Sequence, residues 1–194
     1  MELEIAANSG VFAGATSDAR GGSMPTEIFA HIFDTYYSRV FKYMCYRINN
    51  HYTAEDLCSQ VFEIVISKYN SFSPEKSNFE VWLFAIARNC VTDYFRAQKR
   101  RNHFSLDAIM HMVLPKSSPE DIVIREDSNE ALFKALAMLS DKERNMIAMK
   151  YAAGLKNAEI AELLGVSGSN IGVVLHRSLK KLQKELHTGG ILDE

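Results

Sequence analysis

Four cations close together near the C-terminus, Arg177, Lys180, Lys181 and Lys184, are the groups whose chemistry is plainest in this chain. Guanidinium and ammonium groups along one helix bind phosphate oxygens. They follow the run LSDKERNMIAMKYAAGLKNAEIAELLGVSGSNIGVVLHRSLKKLQKEL, Leu139 to Leu186, in which Glu159, Ile160, Ala161, Leu163, Leu164, Gly165 and Ile171 describe two short helices and a tight turn. Small Ala161 lets the helices approach, Gly165 can take the left-handed turn conformation, and Ile171 anchors the second helix. A helix-turn-helix with a basic exit places its second helix in a DNA major groove.

A second basic cluster, Arg88, Arg96, Lys99, Arg100 and Arg101, is interrupted by one acid, Asp93. Around it stand Phe72, Trp82, Phe84, Tyr94 and Phe95. Cations that track phosphates, interleaved with aromatics on which unpaired bases stack, are the composition of a single-strand binding surface. The plainer reading is a solvated basic helix end with the aromatics in a core, above all Phe79 and Trp82.

The elements that must carry these groups are helical. From Pro25, Ile28, Phe29, Ile32, Phe33, Tyr36, Tyr37, Val40, Phe41, Met44 and Cys45 recur at three and four, which predicts a long first helix broken at Asn49 to His51. Thr53 and Asp56 make a capping-box pattern for a second helix with Leu57, Val61, Ile64, Val65 and Tyr69 on its inner face. After a loop, Asn70 to Asn78, Ser77 and Glu80 repeat the pattern for a third helix to about Gln98, with Phe79, Trp82, Leu83, Ile86, Cys90 and Val91 inward. A further helical pattern starts after Pro119 (Ile122, Ile124, Leu132, Phe133, Leu136). Ser140 with Glu143 caps the next helix, and Gly154 stops it. No stretch alternates with period two, so the expected class is all-α: two small helical domains joined by a flexible linker, the C-terminal one a helix-turn-helix.

The boundaries follow from composition. Residues 1–23 are rich in Gly, Ala and Ser and read as a disordered leader or a non-native remnant ahead of Met24. Residues 24–101 form the first domain, 102–118 the linker, 119–187 the second domain and 188–194 a tail. With 47% hydrophobic and 24% charged residues the chain is globular, and its net charge of −2 does not announce nucleic acid. The charge is segregated instead, because Glu120, Asp121, Glu126, Asp127 and Glu130 make an acidic waist between two basic ends. Cys45, Cys58 and Cys90 are odd in number and widely spaced, which argues for buried free thiols rather than disulfides or a metal motif. No apolar run has transmembrane length and the leader lacks a signal-peptide pattern, so a cytoplasmic location without membrane insertion is expected.

Three blocks, TAEDLCSQVFEIVISKYNSF, FEVWLFAIARNCVTDYFRAQKRR and the C-terminal run above, resemble in order and spacing the sigma-seventy family of bacterial RNA polymerase sigma factors, specifically the extracytoplasmic-function group. The likeness covers about Thr26 to Leu186. It implies that the first domain binds core polymerase and melts the minus-ten promoter element. Glu55, Asp56, Gln60 and Glu63 would meet the polymerase clamp, Asp56 having a competing role as a helix cap. Asn70 and Phe72 lie in the loop that would capture a flipped base. Trp82, Arg88, Asn89, Arg96, Lys99 and Arg100 would contact the melted strand and its upstream phosphates.

The second domain would bind the minus-thirty-five element as duplex. Ser169, Asn170, Val173, Val174, His176 and Arg177 would reach base edges, and Lys180, Lys181 and Lys184 phosphates. Here the sequence departs from its relatives, reading NIGVVLHRS where something like TVKSRLHRA is common, so that a Lys, a Ser and an Arg are replaced by Gly172, Val173 and Val174. The linker, 17 residues from Asn102 to Ser118, reaches on the order of 55 Å when extended. That is comparable with elements about 17 base pairs apart at ~3.4 Å each.

The partners implied are core RNA polymerase, promoter DNA and an anti-sigma protein, with the free chain a monomer. No enzyme, cofactor or metal is expected: the six histidines form no HExxH pair, and no glycine-rich phosphate loop or nucleophile elbow appears. The alternative is a stand-alone helix-turn-helix regulator that dimerises on palindromic duplex sites.

Overall fold

Apolar residues three and four apart make helices that must bury one stripe each, and the described structure consists of such helices packed on one another. The computed structural model describes residues 24–104 and 127–188, among which there is no strand. Helix α1 (Thr26–Arg47) buries Ile32, Tyr36, Val40, Tyr43, Met44 and Arg47. Helix α2 (His51–Lys68) buries Ala54, Leu57, Cys58, Val61, Phe62 and Val65. A short 3₁₀ turn, Tyr69–Ser71, leads through a loop to α3 (Phe79–Phe104).

Two caps differ from the sequence expectation. The second helix is capped by Asn50, whose Oδ1 accepts the Thr53 N–H at 2.8 Å, so Thr53 lies inside the helix and Asp56 is not a cap. Asn has a side chain as well suited to that role as Thr, and the break at Asn49–Asn50 puts it first in line. The third helix is likewise opened by Asn78, which accepts the Glu80 N–H through Oδ1 at 3.3 Å and the Trp82 N–H through its carbonyl at 3.1 Å. Ser77 donates to the Asn78 carbonyl instead. Helix α3 also runs to Phe104, past Gln98, which puts the whole basic run on the helix. Residues 102–104 of the expected linker belong to α3. Its remainder, the start of the second domain with Ile122 and Ile124, the leader and most of the tail lie outside the described residues.

The C-terminal half comprises α4 (Asp127–Ala137) and α5 (Asp141–Ile147), the latter widening into a π turn at Ala148–Ala152. Then come α6 (Asn157–Leu164) and α7 (Gly168–Thr188). The Ser140–Glu143 box forms as expected: the Glu143 N–H reaches Ser140 Oγ, and the Ser140 N–H reaches Glu143 Oε2 at 3.0 Å. Gly154 ends the π turn with φ of 74°, and Gly165 closes α6 with φ of 65°, a region glycine enters without a Cβ penalty. Ile160 and Ile171 are fully buried between α6 and α7; burying each such side chain is worth about 1.5–3 kcal/mol.

The two halves do not stand apart. Helix α1 lies along α5 and the π turn, α3 touches α6, and the buried residues of both halves form one continuous core. Cys58 and Cys90 are buried and Cys45 half-buried, none of the three in a disulfide. Burial pushes the Cys58 thiol up to about 12 and the Cys90 thiol to about 11, far from the thiolate form that reacts.

Candidate nucleic-acid interface

Helices α6 and α7 cross at 106°, the angle of a helix-turn-helix. Gly165 makes the turn, and Ser167 opens α7 by accepting the Asn170 N–H at 3.3 Å while its hydroxyl meets that of Ser169 at 3.1 Å. The next positions sort by side. Leu175, Ser178 and Leu182 are buried against the core, and Ser178 returns its hydroxyl to the Val174 carbonyl. Ser169, Val173, His176, Arg177 and Lys180 are exposed and recur at three and four, so they form one outward row. Val174 is half-buried against the core, on the edge of that row rather than in it.

Lys181 is occupied within the fold. Its Nζ donates to Glu143 Oε1 at 2.6 Å, tying α7 to the cap of α5. The lysine and the Ser140 hydroxyl and N–H hold the Glu143 carboxyl down to about 2. Lys181 therefore positions α7 first and meets any phosphate second.

On α3 the expected single-strand groups fall into two sets. Toward its N-terminus, half-buried Trp82 packs between Phe72 and Phe79, with ring centroids 5.3 and 5.6 Å away, beside exposed Asn70. Phe84 is fully buried and belongs to the core. Toward the C-terminus Asn89, Arg96, Lys99 and Arg100 are exposed, Arg96 pairing loosely with Asp93 at 3.3 Å. Between the sets, Arg88 is already engaged: its Nη1 donates to the Leu163 carbonyl in the last turn of α6 at 2.6 Å.

That contact belongs to a pattern absent from the sequence reading. Across the junction of the two halves, arginines donate to backbone carbonyls, three of them at or near the C-terminal ends of helices and turns, where the helix dipole is negative. Arg39 Nε gives to the Ala153 carbonyl at 2.7 Å, while its two Nη atoms hold Glu80 bidentately at 2.7 and 2.8 Å. Arg144 Nε gives to the Tyr46 carbonyl near the end of α1. Arg47 reaches Asp141 through its carbonyl at 2.8 Å and Oδ1 at 2.6 Å, and lies over the Phe95 ring. Tyr43 adds a hydroxyl bond to Asn145 at 2.8 Å. Burial and the nearby charge of Arg47 pull Arg144 down to about 10. Arg47 Nε and Arg144 Nη2 are buried without a partner among the described residues. One signal was present in the sequence: Arg39 and Arg47 fall on the same stripe as Ile32, Tyr36 and Tyr43, positions where a charge must find a partner.

The expected polymerase-binding residues lie on the outward side of α2. Glu55, Asp56, Gln60 and Glu63 are exposed, and His51 Nδ1 stands 3.5 Å from Glu55. Tyr52 (62% exposed) and Ile66 (41%) extend that side with an aromatic ring and an aliphatic tip. Their spacing from Asp56 and Glu63 is helical, and an exposed aromatic at such a position is the signal that could have singled them out. Among the described residues no group of His, Cys, Asp and Glu could hold a metal, and no single helix is long and apolar enough to cross a membrane.

The family model of Sigma-70 region 2 matches residues 32–101 and that of Sigma-70, region 4 matches residues 129–182. The ECF RNA polymerase sigma factor BldN of Streptomyces coelicolor is 29% identical over 82% of this chain, and the match spans 61% of BldN. SigX of Bacillus subtilis is 26% identical over 82% of this chain and 84% of its own. ShbA of Streptomyces griseus is 30% identical over 66% and 69%. Among solved structures, the sigma factor RpoE in complex with the anti-sigma factor NepR from Bartonella quintana superposes with a TM-score of 0.69, at 23% identity, over 87% of this chain and all of that one. CnrH in complex with the cytosolic domain of CnrY gives 0.62 at 17% identity, over 84% and 90%.

Proposed function

The chain belongs to the sigma-70 family of bacterial RNA polymerase sigma factors, in its extracytoplasmic-function group, and from that membership we propose how its faces divide the work of starting transcription. Family members are initiation factors rather than catalysts. The outward side of α2, with Glu55, Asp56, Gln60 and Glu63, docks on core polymerase. Helix α3 and the loop before it handle the melted minus-ten strand: Asn70, Phe72 and Trp82 receive an unstacked base, and Asn89, Arg96, Lys99 and Arg100 follow the backbone. The outward row of α7, Ser169 to Lys180, enters the major groove of the minus-thirty-five duplex. Acting with polymerase, the protein works in the cytoplasm. The RpoE–NepR and CnrH–CnrY complexes support a sigma-binding inhibitor for this chain as well.

The observation that carries this reading is the coexistence of an exposed acidic strip on α2 and an exposed polar and basic row on a helix-turn-helix, in one chain and in family order. A duplex-binding regulator has use for the second alone. Arg88 spends Nη1 on the Leu163 carbonyl, so departure of α6 from α3 would release the whole guanidinium to the minus-ten strand.

Co-elution of the full chain with bacterial core polymerase on size exclusion tests the reading, with Asp56→Arg in parallel. The wild type is expected to run with core and to support transcription from a melted template, and the variant to run free at unchanged helicity. Elution apart from core, as a dimer that binds palindromic duplex, would replace the sigma reading with the regulator.

A further inference from the structure

Two neighbours on α7, half-buried Gly172 at the edge of the outward row and exposed Val173 within it, are chemically out of place. Gly172 has ordinary right-handed helical geometry, and a Cβ built on it meets nothing within 4 Å. Neither backbone conformation nor packing within the fold requires glycine there, although glycine is the least favourable helix residue short of proline. Beside it Val173 is 49% exposed, an apolar, β-branched tip in a row otherwise made of Ser169, His176, Arg177 and Lys180. Gly172 and Val173 sit midway along the row, one turn from Ser169 on one side and from His176 and Arg177 on the other. A bare patch and an apolar knob, framed by polar and cationic groups, are complementary to something outside the chain that comes close and offers an apolar group.

Resting on the reading of α7 as the duplex-binding helix, we propose that Gly172 and Val173 form a specificity device that reads the 5-methyl group of one thymine in the minus-thirty-five element. The chemistry leaves one candidate. Base edges in the major groove present hydrogen-bond donors and acceptors and a single apolar group, the thymine methyl. Val173 has neither donor nor acceptor, so it distinguishes bases only through that methyl. Absence of a side chain at 172 lets the helix backbone approach the groove floor, bringing Val173 into van der Waals range. Lys180, two turns on, supplies a phosphate contact that holds the helix in register. Cytosine at the same place lacks the methyl.

The experiment uses holoenzyme assembled from the full chain and core polymerase. Duplexes are selected from a random library, and each thymine of the selected upstream element is then replaced singly by deoxyuridine, which removes only the methyl. Wild-type holoenzyme is expected to lose about fourfold in affinity at one position, the value of one methyl taken from water. Val173→Ala should lose a similar factor on thymine DNA and become indifferent to deoxyuridine at that position, the coupling a double-mutant cycle isolates. Gly172→Leu, which fills the open space, should weaken the selected duplex at least tenfold while retaining core binding and melting no lower than wild type. Holoenzyme that transcribes but shows no thymine coupled to Val173, or a Gly172→Leu holoenzyme that binds normally, would overturn the methyl-reading device and leave the sigma assignment standing. Failure to form holoenzyme at all would overturn both.

Discussion

Helices α3 and α7 both carry candidate nucleic-acid contacts, yet the fold treats them in opposite ways. On α7 the outward row from Ser169 to Lys180 is exposed, and Lys181, beside it, is committed to Glu143. On α3 the cations toward the C-terminus are open while Arg88, in the middle, is held by α6. The surface suited to duplex is thus presented in the free chain, and the surface suited to unpaired strand is interrupted by the other half of the molecule. Physically, duplex is available for binding at any time, but a melted strand exists only after polymerase has acted. On the proposed roles the α3 face serves a late partner, and the arginine-to-carbonyl bonds across the junction, each worth about 1.5–3 kcal/mol when charge-assisted, lie beside the apolar core that both halves share.

The contrast can be broken most severely at the helix-turn-helix. Ile171→Ala, at a fully buried anchor, should cost 2–5 kcal/mol. Duplex binding should vanish while α1 to α3 keep their packing; urea unfolding followed by exchange protection in each half would show it. Next comes the junction. Arg39→Ala leaves half-buried Glu80 without its bidentate partner and frees the Ala153 carbonyl, a loss of about 2 kcal/mol. The junction should then loosen, read as faster amide exchange in the π turn with helix content unchanged.

Smaller effects sharpen the comparison. Lys180→Ala should lower the slope of log K against log salt for duplex by about one and weaken all sequences alike, the mark of a phosphate contact. Glu143→Gln should act mainly through pH. The folded-state carboxyl is depressed to about 2 from 4.5, so its stabilisation is fully present above pH 4.5 and is lost as pH falls toward 2. The wild type should therefore lose stability across that window more steeply than the variant, as measured by thermal melting at stepped pH.

Much of this was legible in the residues. The helices, the Ser140–Glu143 box, the left-handed glycines at 154 and 165 and the anchor at Ile171 all follow from local rules of spacing, capping and backbone freedom, which operate within a turn or two of chain. The exposed acids of α2 and the outward row of α7 follow from the same periodicity. Where two local signals competed, the expectation missed: Asn50 and Asn78 cap their helices in place of Thr53 and Ser77, because Asn at the true break is as good a cap as a Thr three residues after it or a Ser one residue before it. Val174 turned half inward because it lies on the flank between the buried and the outward positions of α7.

Tertiary structure alone decided the rest. Nothing local says that Arg39 holds Ala153, that Arg144 holds the end of α1, that Lys181 is spent on Glu143, or that Arg88 meets Leu163 across 75 residues of chain. Amino-acid types set which groups must find partners, since a charge on an apolar stripe cannot stay unpaired. Which partner each one finds depends on how two half-domains meet, a long-range choice made by shape and by the positions of helix ends. The chain's own letters determined its family, its helices and the faces that carry chemistry. Only the packing decided which of those faces stands open and which is held shut.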